Sequence, residues 1–198
     1  MKKTICLICK GMDTYQLLKA QLMDFFEPEV SIIGCALDGK PSKFQGGDMA
    51  LITSSDPDIY GPAIELLEPG IPVEVIERQF DPLRIEQLMR IPAGTRVYVI
   101  NNLPGTCQEV IDTLKKANVD HLRYIPMYPG STYKDSEIRY AVTLGYPPLF
   151  LPEGLTHVVD VGIRLIHLNT LLSAAKKVGL SEKRSGRGFW CHQGYRGH

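Results

Sequence analysis

The sequence has 198 residues, of which 44% are hydrophobic and 22% are charged, and its 22 basic and 22 acidic side chains give zero formal charge. A chain of this length can bury the core of one good-sized domain or of two small lobes. The charge balance argues against general electrostatic binding of nucleic acid or of an anionic membrane, and no apolar run approaches the roughly 20 residues that span a bilayer. Five cysteines without framework spacing predict reduced thiols in a cytoplasmic protein.

Short apolar runs alternate with helical patterns along the whole chain. The runs predict strands at 4–9, 30–36, 48–53, 73–76, 97–100, 121–126 and 138–143, with weaker candidates at 158–161 and 165–168. Helical spacing predicts helices from about residue 13, at 57–67, at 81–89, after the segment NNLPGT (101–106), and from after Asn169 to Gly179. This alternation is typical of a protein in which each strand is followed by a helix that packs on the sheet.

Three of the predicted helices carry recognisable start signals. Asp13 with Gln16, and Thr106 with Glu109, each have the spacing of a capping box, in which two side chains satisfy the first backbone N–H groups of a helix. Asp81 is followed by proline, a combination typical of an N-cap and the first helical position. These signals place three polar helix starts directly after predicted strands.

The alternation of strands and helices predicts an α/β fold with a doubly wound, mainly parallel sheet over residues 1–180. A seam at 91–94 (IPAG) would divide it into two Rossmann-like lobes, 1–92 and 93–180. Residues 181–198 (SEKRSGRGFWCHQGYRGH) show no periodicity, which predicts a disordered or non-native tail. Within that tail, Cys191 and His192 lack a second pair of ligands, so no metal site is predicted there.

Polar residues follow most of the predicted strands, at the point where each strand ends. They are Lys10, Asp13 and Thr14 after the first strand, Ser54 and Ser55 after the third, Arg78 after the fourth, Asn101, Asn102 and Thr106 after the fifth, and Tyr128 and Gly130 after the sixth. Because the carboxyl ends of parallel strands meet at one edge of a sheet, we expect these residues to share a single rim. Their mixture suits a small polar or anionic ligand, although residues of NNLPGT could equally serve only to cap their helix.

The signals for an enzyme are thinner. No dinucleotide-binding, P-loop or nucleophile-elbow motif occurs, and no catalytic residue is assigned. Cys6 and Cys9 lie three apart in a strand and point to opposite faces, which argues against a metal pair. Cys35 ends one strand and Cys107 begins a helix, where the pKa of a thiol would be lowered, so a racemase or isomerase with a thiol pair is an alternative.

The second half of the sequence resembles a known family. The segments VYVINNLPGT (97–106), VDHLRYIPMYPG (119–130) and HVVDVGIRLIHLNTLL (157–172) are similar to the amino-terminal sensory region of sigma-54-dependent transcriptional regulators of anaerobic Gram-positive bacteria. The first half matches that region in pattern only. The recognition edge that the resemblance implies comprises Asn101, Asn102, Pro104 and Thr106, with Tyr128, Pro129 and Gly130. Arg164 is a candidate anion partner, and a surface salt bridge is the competing interpretation for it.

The resemblance implies reception of a signal rather than catalysis. In such regulators this region precedes a PAS domain, an AAA+ ATPase domain and a DNA-binding helix-turn-helix, and no Walker motif occurs in this chain. The expected partners are a small polar or anionic molecule, the downstream PAS and AAA+ domains, and a second copy in a homodimer. No cofactor, metal, nucleic acid or membrane contact is expected for this chain. A dimerisation module, whose loops only cap helices, is the other alternative.

Overall fold

The computed structural model describes residues 2–132, 135–145 and 151–180, and the predicted tail at 181–198 lies outside these ranges. The strands in the described part are β1 (Lys3–Cys9), β2 (Val30–Ala36), β3 (Met49–Ile52), β4 (Val73–Val75), β5 (Arg78–Gln79), β6 (Arg96–Ile100), β7 (Arg123–Met127), β8 (Tyr140–Thr143), β9 (His157–Asp160) and β10 (Leu165–Ile166). The α-helices are α1 (Met12–Phe26), α2 (Pro57–Glu65), α3 (Pro82–Ile85), α4 (Pro104–Lys116) and α5 (Leu168–Lys177), and a 3₁₀ turn follows α3 at Glu86–Arg90.

Two four-stranded parallel sheets confirm the predicted α/β, doubly wound fold. The first sheet has the order β2-β1-β3-β4 and the second the order β7-β6-β8-β9, so both sheets are wound in the same way. The strands β1 and β6 lie inside their sheets, which is why Ile5–Cys9 and Val97–Ile100 are continuous buried apolar runs. One lobe forms around each sheet.

Helices cover both faces of the first sheet. On one face, Ile5 and Leu7 pack with α1 and α5. On the other face, Ile8 packs with Ile59 and Ala63 of α2. The alternation along β1 follows from the two-residue period of a strand, so the same strand contributes to the cores on both faces of the sheet.

The chain crosses between the lobes twice, and the two crossings lie side by side. Ile76 belongs to the core of the first lobe and Phe80 to that of the second. On the return, Val161 belongs to the second core and Ile166 to the first. Between these points β5 and β10 pair antiparallel, with Ile166 opposite Arg78. We refer to β5 and β10 together as the crossing ribbon.

After the crossing ribbon, α5 returns to the first lobe. Its residues Leu171, Ala174 and Val178 join the core around Leu18 and Leu22 of α1. The amide of Gln21 on α1 also bonds both backbone groups of Ile166, at 3.0 and 2.8 Å. The end of the described chain thus completes the core that the start of the chain began. Among the described residues, none of the helices combines the length and apolar character that crossing a membrane requires.

The start signals of two helices were misassigned. Helix α1 begins at Met12 with Gly11 as N-cap, and α4 begins at Pro104 with Leu103 as N-cap, and neither cap makes a side-chain hydrogen bond. Both predicted capping boxes are therefore wrong. In α4 the proline occupies the first helical turn and starts the helix before Thr106 is reached. The predicted cap at Asp81 is confirmed, since its Oδ1 accepts from Leu83 N at 2.9 Å.

Candidate functional site

A cleft of about 530 Å³ lies between the lobes, at the carboxyl ends of the strands of both sheets. The first lobe contributes the start of α1 and the segments after β2 and β3, and the second lobe contributes the segments after β6 and β8. The crossing ribbon contributes Arg78 and the neighbouring Arg164. In both lobes the parallel strands end at the cleft, so their exit segments gather there.

The cleft brings together nine of the twelve residues that the sequence nominated. They are Lys10, Asp13, Thr14, Ser54, Arg78, Asn101, Asn102, Thr106 and Arg164. Met12, Ile59, Leu144 and Ile163 add apolar surface to the same lining. A cleft with a few polar groups from different loops beside apolar side chains is typical of a small-molecule site.

The other three nominated residues, Ser55, Tyr128 and Gly130, lie outside this lining. Side chains alternate along the extended segment after β3, so that Ser54 and Asp56 are buried whereas Ser55 between them is exposed. Tyr128 and Gly130 follow β7, which is the edge strand of the second sheet. Their loop does not reach the cleft lining, although β7 runs parallel to β6 and ends at the same edge of the sheet.

Two residues of the NNLPGT segment also stabilise their own turn. Asn101 accepts from Asn102 N at 2.8 Å through its side-chain oxygen, and Thr106 Oγ1 donates to the carbonyl of Leu103 at 3.0 Å. Both residues are buried, whereas Asn102 is partly exposed in the cleft. The segment therefore shapes the turn and contributes to the lining at the same time.

Glu109 on α4 connects the second lobe to the first lobe and to the crossing ribbon. Its Oε1 accepts a hydrogen bond from Ser54, and its Oε2 accepts from Arg78 Nη2 at 3.0 Å and from Arg164 Nη2 at 3.3 Å. Arg164 Nη1 also donates to Thr113 Oγ1, at 3.2 Å. Arg164 therefore does form a salt bridge, as the competing interpretation expected, but the bridge is buried rather than on the surface, because the side chain of Arg164 is only 5% exposed and that of Arg78 only 11%.

The charges around the cleft are separated by depth. Two buried guanidinium groups share one carboxylate oxygen of Glu109, so these three groups carry one net positive charge. The acidic side chains in the lining, Asp13 and Asp38, are both solvent-exposed. Charges are costly to remove from water unless they are paired and hydrogen-bonded. Because separating Glu109 from its partners would incur this cost, the cluster holds Ser54, α4 and the crossing ribbon in one relative arrangement.

A second close contact joins the lobes at the N-terminus of α4. Asp56 caps α2 by accepting from Asp58 N at 3.0 Å, and its own N–H donates to Ser54 Oγ at 3.0 Å. A Cβ at Gly105 would lie 2.0 Å from Asp56 Oδ2. The absence of a side chain at Gly105 therefore permits α4 to approach the capped end of α2.

We expect Gly105→Ala to lower the free energy of unfolding by about 2 kcal/mol, since overpacking of this kind costs about 1–3 kcal/mol and exceeds the helix-propensity gain from alanine. Gly61→Ala in α2 is the control, because apart from its chain neighbours nothing lies within 4 Å of a Cβ there. Pro62 follows and crowds a Cβ at the preceding helical position, so the helix-propensity gain is offset and the control should change stability by less than about 0.5 kcal/mol. Urea unfolding of both variants measures the difference, and equal effects of the two substitutions would contradict the close contact.

The thiols do not form a catalytic pair. Cys107 is fully buried, its Sγ lies 3.5 Å from the carbonyl oxygens of Val99 and Met127, and burial raises its pKa to about 11. The expected lowering of this pKa at the helix start is therefore wrong. Burial also raises the pKa of the half-buried Cys35, and neither cysteine belongs to the cleft lining. The geometry gives the racemase alternative no activated thiolate.

Cys6 and Cys9 lie in β1, as predicted, and both side chains are fully buried. Burial raises the pKa of Cys6 to about 11 and that of Cys9 to about 12. Buried thiols with such raised pKa values are poor nucleophiles at neutral pH. In the ranges described, no cluster of metal-ligating side chains occurs.

The sequence did not predict that Glu109 connects the two lobes. It assigned Glu109 only to a capping box at the start of its own helix. Thr106, Glu109 and Thr113 are spaced three and four residues apart and so lie on one face of α4 beside the apolar stripe. Two of the three accept hydrogen bonds from Arg164. This row of polar side chains beside the apolar face of α4 could have indicated that the helix packs against another polar segment of the chain.

Comparison of the chain with models of protein families, with curated proteins and with solved structures yields no match.

Proposed function

We propose that this chain is a ligand-binding sensory module that holds a small polar or anionic molecule in the cleft between its lobes. The observation that carries the proposal is the convergence of nine nominated polar residues, from separate segments of both lobes and the crossing ribbon, on one cleft. Its volume of about 530 Å³ falls within the range of roughly 300–1,000 Å³ usual for small-molecule sites. The chain performs no chemistry of its own in this proposal.

The signal would be a change in the arrangement of the lobes. A ligand that contacts both lobes binds one arrangement better than another, and only that difference in affinity can shift the equilibrium. Helix α5 begins at Leu168, two residues after β10 ends. A shift of the crossing ribbon would therefore reach α5 directly.

The biological context of the proposal rests on the sequence resemblance. We propose a cytoplasmic transcriptional regulator in which this module acts on downstream PAS and AAA+ domains, as a homodimer. The four described cysteines are free thiols, which supports the cytoplasmic location. Light scattering on the full chain tests the homodimer, and a monomer at micromolar concentration would contradict it.

A thermal-shift screen of the full chain against organic acids, sugar phosphates, amino acids, nucleotides and neutral polyols tests ligand binding. A ligand at 100 times its Kd should stabilise the folded state by about 2.7 kcal/mol. Lys10→Ala should reduce the shift because Lys10 lines the cleft, whereas Lys40→Ala, an exposed lysine outside the lining, should leave it unchanged. Absence of a shift with every compound class would contradict the proposal.

A further inference from the structure

Two buried arginines of the cleft lie at the crossing between the lobes. Arg78 belongs to β5 and Arg164 directly precedes β10, and these are the only two strands of the described chain that pair antiparallel. Both side chains line the cleft, and both reach Glu109 on α4 of the second lobe. A group bound to this guanidinium pair would therefore contact the connection between the lobes.

The charge at this point favours an anion. Two guanidinium groups line the cleft at this point with side chains only 11% and 5% exposed, and charge–charge interactions are less screened there than at the surface. A guanidinium presents several N–H donors in a planar fork, which matches the oxygens of a carboxylate or a phosphate. An oxyanion is thus the chemical complement of the pair.

The rest of the cleft has the same polarity. Helix α1 begins at the cleft without a side-chain cap, so the positive end of its dipole faces the cleft, whereas the start of α4 lies against the carboxylate of Asp56. Lys10 adds a half-buried cation, whereas Asp13 and Asp38 are exposed to solvent. This gradient orients a ligand with its acidic group inward and any hydroxyl or amino group outward.

We infer that the ligand is a small organic oxyanion whose acidic group binds at Arg78 and Arg164, and that it carries a hydrogen-bonding group directed toward Asp13 and Asp38. The inference rests on the proposed function and specifies its ligand class. Carboxylic acids and phosphate esters share the required chemistry. In either case Glu109 competes electrostatically with the ligand, because it already places a negative charge on the same two guanidinium groups.

Calorimetric titration of the full chain with malate, glutamate and glycerol 3-phosphate tests the inference, with the uncharged malamide as the neutral probe. At least one of the three anions should bind, and malamide should bind at least tenfold more weakly than malate. Glu109→Gln keeps the size and one acceptor oxygen but removes the charge. It should raise the affinity for the bound anion by on the order of tenfold. Glu86→Gln, at an exposed pair with Arg90, is the control and should change affinity less than twofold.

Arg78→Gln should lower the affinity for the same anion at least tenfold, and its thermal midpoint shows whether the variant is folded. The gain expected for Glu109→Gln does not depend on that variant, since misfolding cannot raise affinity.

The outcomes separate the inference from the proposed function. If an anion binds but Glu109→Gln lowers its affinity or leaves it unchanged, the guanidinium pair is not the anion site and the proposed function stands. If only malamide or the cationic probe putrescine binds, the ligand class is wrong and the proposed function again stands. If neither these probes nor the compounds of the thermal-shift screen bind, both the inferred ligand class and the proposed function are wrong.

Discussion

Replacement of Glu109 by alanine is expected to lower the free energy of unfolding by about 3 kcal/mol, the lower end of the range for removing one partner from a buried ion pair. The lower end applies because the Glu109 side chain is 25% exposed, whereas those of Arg78 and Arg164 are 11% and 5% exposed. Truncation leaves two buried guanidinium groups without the carboxylate that both contact, and it also removes the acceptor of Ser54. Guanidinium chloride is unsuitable for the measurement because its cation and salt screen the pair, so urea unfolding is the appropriate test.

Glu86→Ala is the matched control for this substitution. Glu86 pairs with Arg90 at 2.9 Å, but the two side chains are 60% and 77% exposed. Such surface pairs contribute about 0.2–1 kcal/mol, so the control should cost little. A cost for Glu109→Ala no larger than that of the control would mean that the Glu109 cluster does not hold the lobes together.

Leu171→Ala is expected to destabilise the protein by about 2–3 kcal/mol, the cost typical of emptying a buried leucine site. Leu171 lies in the first-lobe core with 5% of its surface exposed, whereas the adjacent Leu172 is 46% exposed. Leu172→Ala removes the same atoms from the same helix and should change stability by less than about 0.5 kcal/mol. Urea unfolding of the two variants compares them directly. Similar costs would contradict the packing of α5 on α1.

The strands were largely predictable because their signal is local. The interval predicted for the second strand, 30–36, coincides with β2 (Val30–Ala36), and β1 was recognisable because a strand covered on both faces is a continuous apolar run. The common rim of Lys10, Ser54 and Asn102 followed from parallel topology alone. These predictions needed only the direction of the strands, which the connecting helices dictate.

The incorrect predictions needed information that neighbouring residues do not carry. Tyr128 lies outside the cleft lining although β7 ends at the same edge of the sheet as β6, so strand direction alone does not identify the lining residues. Glu109 has the spacing of a capping box, yet it contacts two arginines that are remote in sequence. The strands β5 and β10 have two residues each, too few to show periodicity, and their pairing joins segments from opposite halves of the chain. The strand predicted at 165–168 is wrong at residue 168, where α5 begins. The His167 ring accepts a hydrogen bond from Asn169 N and caps this helix.

The double crossing has a consequence for biosynthesis. The hydrophobic interior of the second lobe draws on an uninterrupted stretch from Phe80 to Val161, whereas that of the first lobe also needs Leu171, Ala174 and Val178. During synthesis, all core residues of the second lobe therefore leave the ribosome before α5, the last helix of the first lobe, does. The usual order, in which the amino-terminal unit matures first, is reversed. Until translation passes Val178, the part of the first-lobe core that α5 covers is left exposed.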